Sequence, residues 1–152
     1  MTTQAAPPRS RCQRKQDALT RLETDVDAWV ATAGADGGMP HLVPLSFVWD
    51  GAVLLLATPG DSPTGRNMRT SGRVRIGIGP TRDVVLIEGT AEAFASADMD
   101  EDTLDAFAGK TGFDPRHSGD FYFRVRPQRV QAWREVEELA ERELMRGGDW
   151  LV

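Results

Sequence analysis

The sequence predicts a mainly β fold of the α+β class, a β-barrel with peripheral helices. Three observations lead there. Strand-like segments follow one another across hairpin-length connections. They do not alternate regularly with long helices, as a doubly wound parallel sheet requires. Apolar residues recur with period two in His41 to Trp49 and Arg73 to Gly79, Asp27 to Thr32 is β-rich, and glycine- or proline-bearing turns bound these runs.

The bulk properties restrict what such a chain can be. Its 152 residues suit one domain, and a charged fraction of 27% is ordinary for a soluble globular protein. A formal net charge of −5 does not favour nucleic acid as a partner. No run approaches the ~18 apolar residues of a membrane span, and the N-terminus lacks the apolar core of a secretory signal. The single cysteine, Cys12, excludes an internal disulfide framework and fits a reducing, cytoplasmic setting. One cysteine and two distant histidines give no metal-ligand spacing.

Taken in order, residues 1–13 are polar and proline-bearing and read as a flexible tail, which leaves 14–152 as the domain. Residues 14–24 read as a short helix with Leu19 and Leu22 inward. Asp27 to Thr32 is β-rich and ends at the turn signal AGADGG. His41 to Trp49 alternates Val43, Leu45, Phe47 and Trp49 against Leu42, Pro44, Ser46 and Val48. Asp50-Gly51 then marks a tight turn. Ala52 to Ala57 is almost continuously apolar, so it should be covered on both faces. Ser62-Pro63 is a helix start and Gly72 its stop, placing a short helix at about 63–70. Arg73 to Gly79 puts Val74, Ile76 and Ile78 inward. Val84 to Phe94 is a further strand with a bulge expected at Gly89. Within it Glu88 either pairs with Arg75 across the sheet or faces solvent. Asp98 to Lys110 reads as an acidic helix, and Phe121 to Trp133 as one or two strands broken at Pro127. Arg134 to Arg146 reads as a C-terminal helix, with Val136, Leu139, Ala140 and Leu144 on one face and Glu138–Arg142 as a surface pair.

Thr58 to Arg75 carries the chemistry. Arg66, Arg69, Arg73 and Arg75 are opposed within it only by Asp61, on an otherwise acidic chain. A strand end, a Gly/Ser/Thr loop and a helix start together suit an anion: free backbone N–H groups, the hydroxyls of Ser62 and Thr64, and the planar fork of Arg66. Two readings stay open from spacing alone. Either the segment binds an anion, or Ser62 is only an N-cap and the arginines are a solvated helix face. The loop matches neither the Walker pattern nor GxGxxG. The four tryptophans, Trp29, Trp49, Trp133 and Trp150, read as packing residues.

The segments HLVPLSFVWDGAVLLLAT, SPTGRNMRTSGRVRIGIG, DVVLIEGTAEAF and RPQRVQAW, in this order and over roughly residues 17–135, resemble the pyridoxamine 5′-phosphate oxidase-like FMN-binding split barrels. The resemblance extends to members that use the deazaflavin coenzyme F-420. It implies a split β-barrel of the FMN-binding type, a homodimer with its cofactors at the subunit interface, and FMN or F-420 as the cofactor. It implies that the strand at Val43, Pro44 and Leu45 runs beside the ring, and that Ala57 and Thr58 lie over the ribityl and phosphate part. It assigns the helix-start cation to Arg66, where the oxidase proper carries lysine. Thr64 is the hydroxyl residue before that cation and Asn67 a neighbour. Trp133 is expected near the cofactor of the other subunit. The tail ERELMRGGDWLV lacks the Arg-x-His motif of the true oxidase, so vitamin B6 oxidation is not expected. The activity implied is oxidoreduction by hydride transfer to or from a small organic substrate, with the cofactor supplying the redox chemistry. The alternatives are a non-catalytic module that binds or senses a flavin, F-420 or haem, and a structural dimer without ligand.

Overall fold

The computed structural model describes residues 6–152. Helix α1 (Arg11–Thr24) leads into strands β1 (Asp27–Thr32), β2 (His41–Trp49) and β3 (Leu54–Thr58). Helix α2 (Pro63–Ser71) precedes β4 (Arg73–Ile78) and β5 (Val84–Phe94). Helix α3 (Glu101–Thr111), the long strand β6 (Phe121–Trp133) and a small hairpin, β7 (Glu143–Arg146) with β8 (Asp149–Trp150), complete the chain.

All pairings are antiparallel, in the order β3-β2-β1-β4-β5-β6-β7-β8, and a β3–β6 ladder joins the ends of the first six strands into a closed barrel. This is the β-barrel with peripheral helices that the strand spacing predicts. Its interior is filled by the inward residues of the alternating strands, among them Val30, Phe47, Leu54, Leu56, Ile76, Ile87, Phe123 and Val125, all at most 1% exposed. Ala18 and Leu22 of α1 and Met68 of α2 join that core. Strand β3 is buried on both faces, as its unbroken apolar run predicts. Leu54 and Leu56 point into the barrel, while Leu55 and Ala57 pack with Met99, Leu104, Phe107 and Tyr122 beneath α3.

Local signals account for the element ends. Asp50 closes the β2–β3 turn by accepting the amides of Ala52 and Val53 at 2.8 and 2.7 Å, with Gly51 at φ +100°. The register shifts between Glu88 and Gly89 of β5, where β6 carries one extra residue beside Pro127. A Cβ on Gly89 would stand 2.7 Å from a Val125 methyl, so glycine is required at this bulge. Pro127 has no N–H to give a ladder, and it sits where the ladder is interrupted, so β6 continues as a single strand. Across the sheet Arg75 pairs with Glu88.

Three expectations need correction. Helix α3 begins at Glu101, capped by Asp100 accepting the Thr103 amide at 3.0 Å, and a separate turn occupies Ser96–Asp98. Of residues 1–13, those at 1–5 lie outside the described residues. Arg9 is clamped by Glu138, Ser10 caps α1, and Arg11–Gln13 are helical. The C-terminal helix over Arg134–Arg146 does not form. A single turn at Val136–Glu138 is followed by the β7–β8 hairpin. Gly147 and Gly148, at φ +59° and +84°, supply the two-residue loop that such a hairpin demands. Val136 is 77% exposed while Leu144 is fully buried, so the apolar residues of this segment never share a helical face. Glu138 turns inward to Arg9 rather than pairing with Arg142.

Candidate functional site

Helix α2 is built as its sequence predicts. The Ser62 hydroxyl accepts the Gly65 amide at 3.0 Å and donates to the Pro59 carbonyl at 2.7 Å. Pro63 occupies the first turn, and Gly72 ends the helix at φ +65°. Ser62 is therefore the N-cap, and its proton is committed to Pro59. Thr58 Oγ1 lies 3.2 Å from Ser62 Oγ, tying the end of β3 to the cap. Thr64 is buried. Arg66 is exposed and, among the described residues, makes no ion pair. Asp61 is also exposed. Asn67 turns the other way and donates to Thr32 Oγ1 at 3.1 Å, pinning α2 to the end of β1. Arg69 is held over the Phe121 ring, 5.1 Å from its centre, and reaches the Gly60 carbonyl at 3.3 Å.

Beside this helix the barrel wall opens. Strands β2 and β3 pair only over Phe47–Trp49 and Leu54–Leu56. Beyond Phe47, β2 continues against β1 alone, whereas β3 continues against β6. The Phe47 amide donates to the Val26 carbonyl at 2.8 Å, so it faces β1. The alternation of an antiparallel ladder then turns the backbone groups of Leu45 and Val43 toward β1 as well. Those of Leu42, Pro44 and Ser46 face the open edge, where no described strand is paired. Proline is tolerated at 44 because its missing N–H would point to that edge. The stretch 43–45 does lie at this opening. However, Val43 and Leu45 meet it with side chains packed toward the core, and the free backbone groups belong to their neighbours Leu42 and Ser46 and to the Pro44 carbonyl. Sequence reading missed this distinction, because which amide is free depends on the partner strand.

Ala57 and Thr58 share the same strand end but not the same side. Thr58 is buried at the α2 cap, while the Ala57 side chain packs beneath α3. Trp133 lies elsewhere. It pairs with Val84 at one end of β6, while Thr58 pairs with Phe121 at the other. The residues between span about 40 Å of strand at ~3.3 Å each, so one subunit does not bring Trp133 to the α2 cap. Arg142 covers its ring at 5.8 Å.

A second feature takes up Arg73 and Arg75, the later arginines of the basic segment, at a place the sequence does not reveal. A cavity of about 680 Å³ lies between the β1–β2 loop, the C-terminal end of α2 and strands β4 and β5. Its polar walls are Thr32, Thr70, Ser71, Arg73, Arg75 and Glu88. Among the described residues no cluster of His, Cys, Asp and Glu is placed to hold a metal ion. Nor is any of their helices long and apolar enough to cross a membrane.

The fold recurs in known proteins. A solved structure of an F420 reductase superimposes with a TM-score of 0.60 at 19% identity, covering 73% of this chain and 93% of that one. A FAD-binding protein from Mesorhizobium loti gives 0.62 at 20% identity, over 76% of this chain and 89% of that one. A conserved hypothetical protein from Mycobacterium tuberculosis gives 0.64 at 20% identity, over 90% and 92%. At such identities the likeness establishes the fold. No curated protein matches the chain. The sequence profile of the pyridoxamine 5′-phosphate oxidase family matches residues 16–134, which takes in α1 from its second turn, the whole closed barrel, and helices α2 and α3. The chain therefore belongs to the pyridoxamine 5′-phosphate oxidase family, and its barrel is the family's split barrel.

Proposed function

We propose that the chain is an oxidoreductase that binds a flavin-type cofactor, FMN or the deazaflavin F-420, at the opening between β2 and β3, and passes a hydride to or from a small organic substrate. The observation that carries this reading is the unpaired stretch of β2 beside the start of α2. It offers backbone donors and acceptors at Leu42, Pro44 and Ser46 to the polar edge of a flat ring, and the Arg66 guanidinium to an anionic tail. Those residues fit such a group. The amide edge is one-sided and adjustable, and Arg66 is uncommitted, whereas Arg69 is engaged with Gly60 and Phe121. The Ser62 hydroxyl positions the helix, Thr58 braces its start, and Asn67 ties its middle to β1. When bound, the cofactor supplies the redox chemistry, and the protein's part is to hold and shield it.

The same reading makes the working unit a homodimer. Trp133 sits at the far end of the barrel from Arg66 within one subunit, so a ring flanked by both needs a second copy. Trp29 and Leu42, 55% and 59% exposed on the outer face of β1 and β2, give that copy an apolar surface.

Titrating purified protein with FMN and with F-420, followed by absorbance and fluorescence, tests the reading. Tight binding of either, with turnover by an electron donor, supports it. Binding without turnover by any donor or acceptor would leave a carrier or sensor. Failure of both to bind at high micromolar concentration would end the proposal. Arg66→Ala is expected to weaken the bound cofactor by about 1.5–3 kcal/mol, the worth of a charge-assisted hydrogen bond. An unchanged affinity in this variant would move the anionic group away from α2.

A further inference from the structure

The cavity lies at the C-terminal end of α2, and none of Leu42, Pro44, Ser46, Thr58 and Arg66 lines it. Its ionisable lining is Arg73, Arg75 and Glu88, a net positive charge on a chain that is net −5. Much of the rest of the wall is small: Ala31, Ala33, Gly34, Gly37 and Gly89 leave space where side chains would otherwise fill it. At about 680 Å³ it has the size of a small-molecule site.

The C-terminal end of α2 faces this region, and donors from Thr70, Ser71, Gly72 and Ala91 meet part of its carbonyls. Ser71 and Thr70 hydroxyls donate to the carbonyls of Asn67 and Arg66 at 2.9 Å each. The Gly72 amide donates to Met68, and the Gly72 carbonyl accepts from Ala91 at 2.9 Å. Asp36, on the neighbouring loop, accepts the Gly38 amide at 3.2 Å and does not line the cavity.

The charges are arranged as an exchangeable set. Arg73 is exposed and, among the described residues, has no carboxylate partner. Arg75 is paired with Glu88, but Glu88 also has Arg129 within 3.5 Å. Arg129 in turn holds Glu143 at 2.6 Å. If Arg75 turns into the cavity, Glu88 keeps a cation beside it. The exchange therefore leaves no uncompensated charge, and an oxyanion gains a planar fork.

We propose that this cavity is an anion-binding site for a small molecule bearing a phosphate group, with Arg73 as its resident cation and Arg75 released to it by Glu88. The proposal goes beyond the cofactor reading, and it stands or falls on different residues.

The test is a titration of the ¹⁵N-labelled full chain with inorganic phosphate, followed by amide shifts. Saturable shifts are expected at Gly34, Gly37 and Thr70 to Arg75. Removing both cations, by Arg73→Ala with Arg75→Ala, should weaken binding at least about tenfold. Arg73→Ala alone should weaken it by a smaller factor. Glu88→Gln should tighten it by a few fold, because it frees Arg75 and removes the competing charge. That gain is not expected of a residue whose role is only structural. Arg82→Ala removes one positive charge near Glu135, outside the cavity, and should leave the affinity unchanged. Absent or non-saturating shifts at these amides, an equal loss in the Arg82 variant, or weaker binding in Glu88→Gln would each overturn the proposal.

Discussion

Replacing Glu138 with alanine is expected to destabilise the fold by about 3–5 kcal/mol, the cost of breaking a buried ion pair from one side. Its side chain is 2% exposed and pairs with Arg9 Nη2 at 2.7 Å. It also accepts from Arg9 Nε at 3.0 Å, the Arg9 amide at 2.8 Å and the Arg134 amide at 2.9 Å. Without the carboxylate, Arg9 retains Asp17 at 2.8 Å and the more distant Asp83 at 3.7 Å. The loss therefore belongs at the lower end of the range. The apparent Tm should fall by about 10 °C for a chain of this length.

Acid should reproduce part of this effect. Hydrogen bonds from the Arg9 side chain hold the Glu138 carboxyl down to about 2, from an ordinary value of 4.5. A depressed acid contributes stability that is fully present above the unfolded pKa. That contribution is lost as pH falls through the folded pKa, so here it drains away between about pH 4.5 and pH 2. Unfolding curves of the wild type and of Glu138→Gln should differ most at neutral pH and converge toward pH 2. Equal stabilities at pH 7 would show that the clamp contributes nothing.

The second large effect is at Gly65. A Cβ there would stand 2.3 Å from the Pro59 carbonyl oxygen and 3.1 Å from the Gly60 Cα. Both obstacles are backbone, so neither can rotate aside. Gly65→Ala must lift the start of α2 or displace the 59–62 loop, and either breaks the Ser62 cap. Loss of a cap at about 1 kcal/mol and overpacking at about 1–3 kcal/mol together predict a destabilisation of about 2–4 kcal/mol. On the proposed cofactor reading the variant should also bind FMN or F-420 more weakly, because Arg66 is carried by the displaced turn. Gly109 in α3 provides the contrast. Nothing lies within 4 Å of a Cβ there, so Gly109→Ala should stabilise by about 0.5–1 kcal/mol through helix propensity alone. Chemical denaturation of the two variants side by side checks both signs. A Gly65→Ala protein as stable as the wild type would show that the loop yields freely.

Much of this molecule can be read from neighbouring residues alone. The Ser62-Pro63 start and Gly72 stop of α2 depend on capping chemistry within one turn of chain. The alternation in β2 and β4 is a period-two signal that survives any tertiary setting. A glycine inside a strand marks the bulge or bend at Gly89, whereas the sequence leaves open whether Glu88 pairs with Arg75 or faces solvent, and the register decides for the pair. By itself, then, the sequence determined the barrel strands, helix α2 and the basic segment next to it.

The tertiary structure decided the rest, because the deciding contacts are distant. The segment Arg134 to Arg146 has the apolar spacing and the i,i+4 charge pair of a helix. What diverts it is Glu138, drawn to Arg9 at a sequence separation of 129 residues. The same contact holds Arg9, just before α1, in a stretch that reads locally as a tail. The free edge of β2 is likewise invisible in β2 itself. A backbone group is free only when the neighbouring strand has left, and β3 leaves to close the barrel on β6. Periodicity reports which way side chains point along one strand. It carries no information on which strand stands opposite, and here that choice opens the wall beside α2.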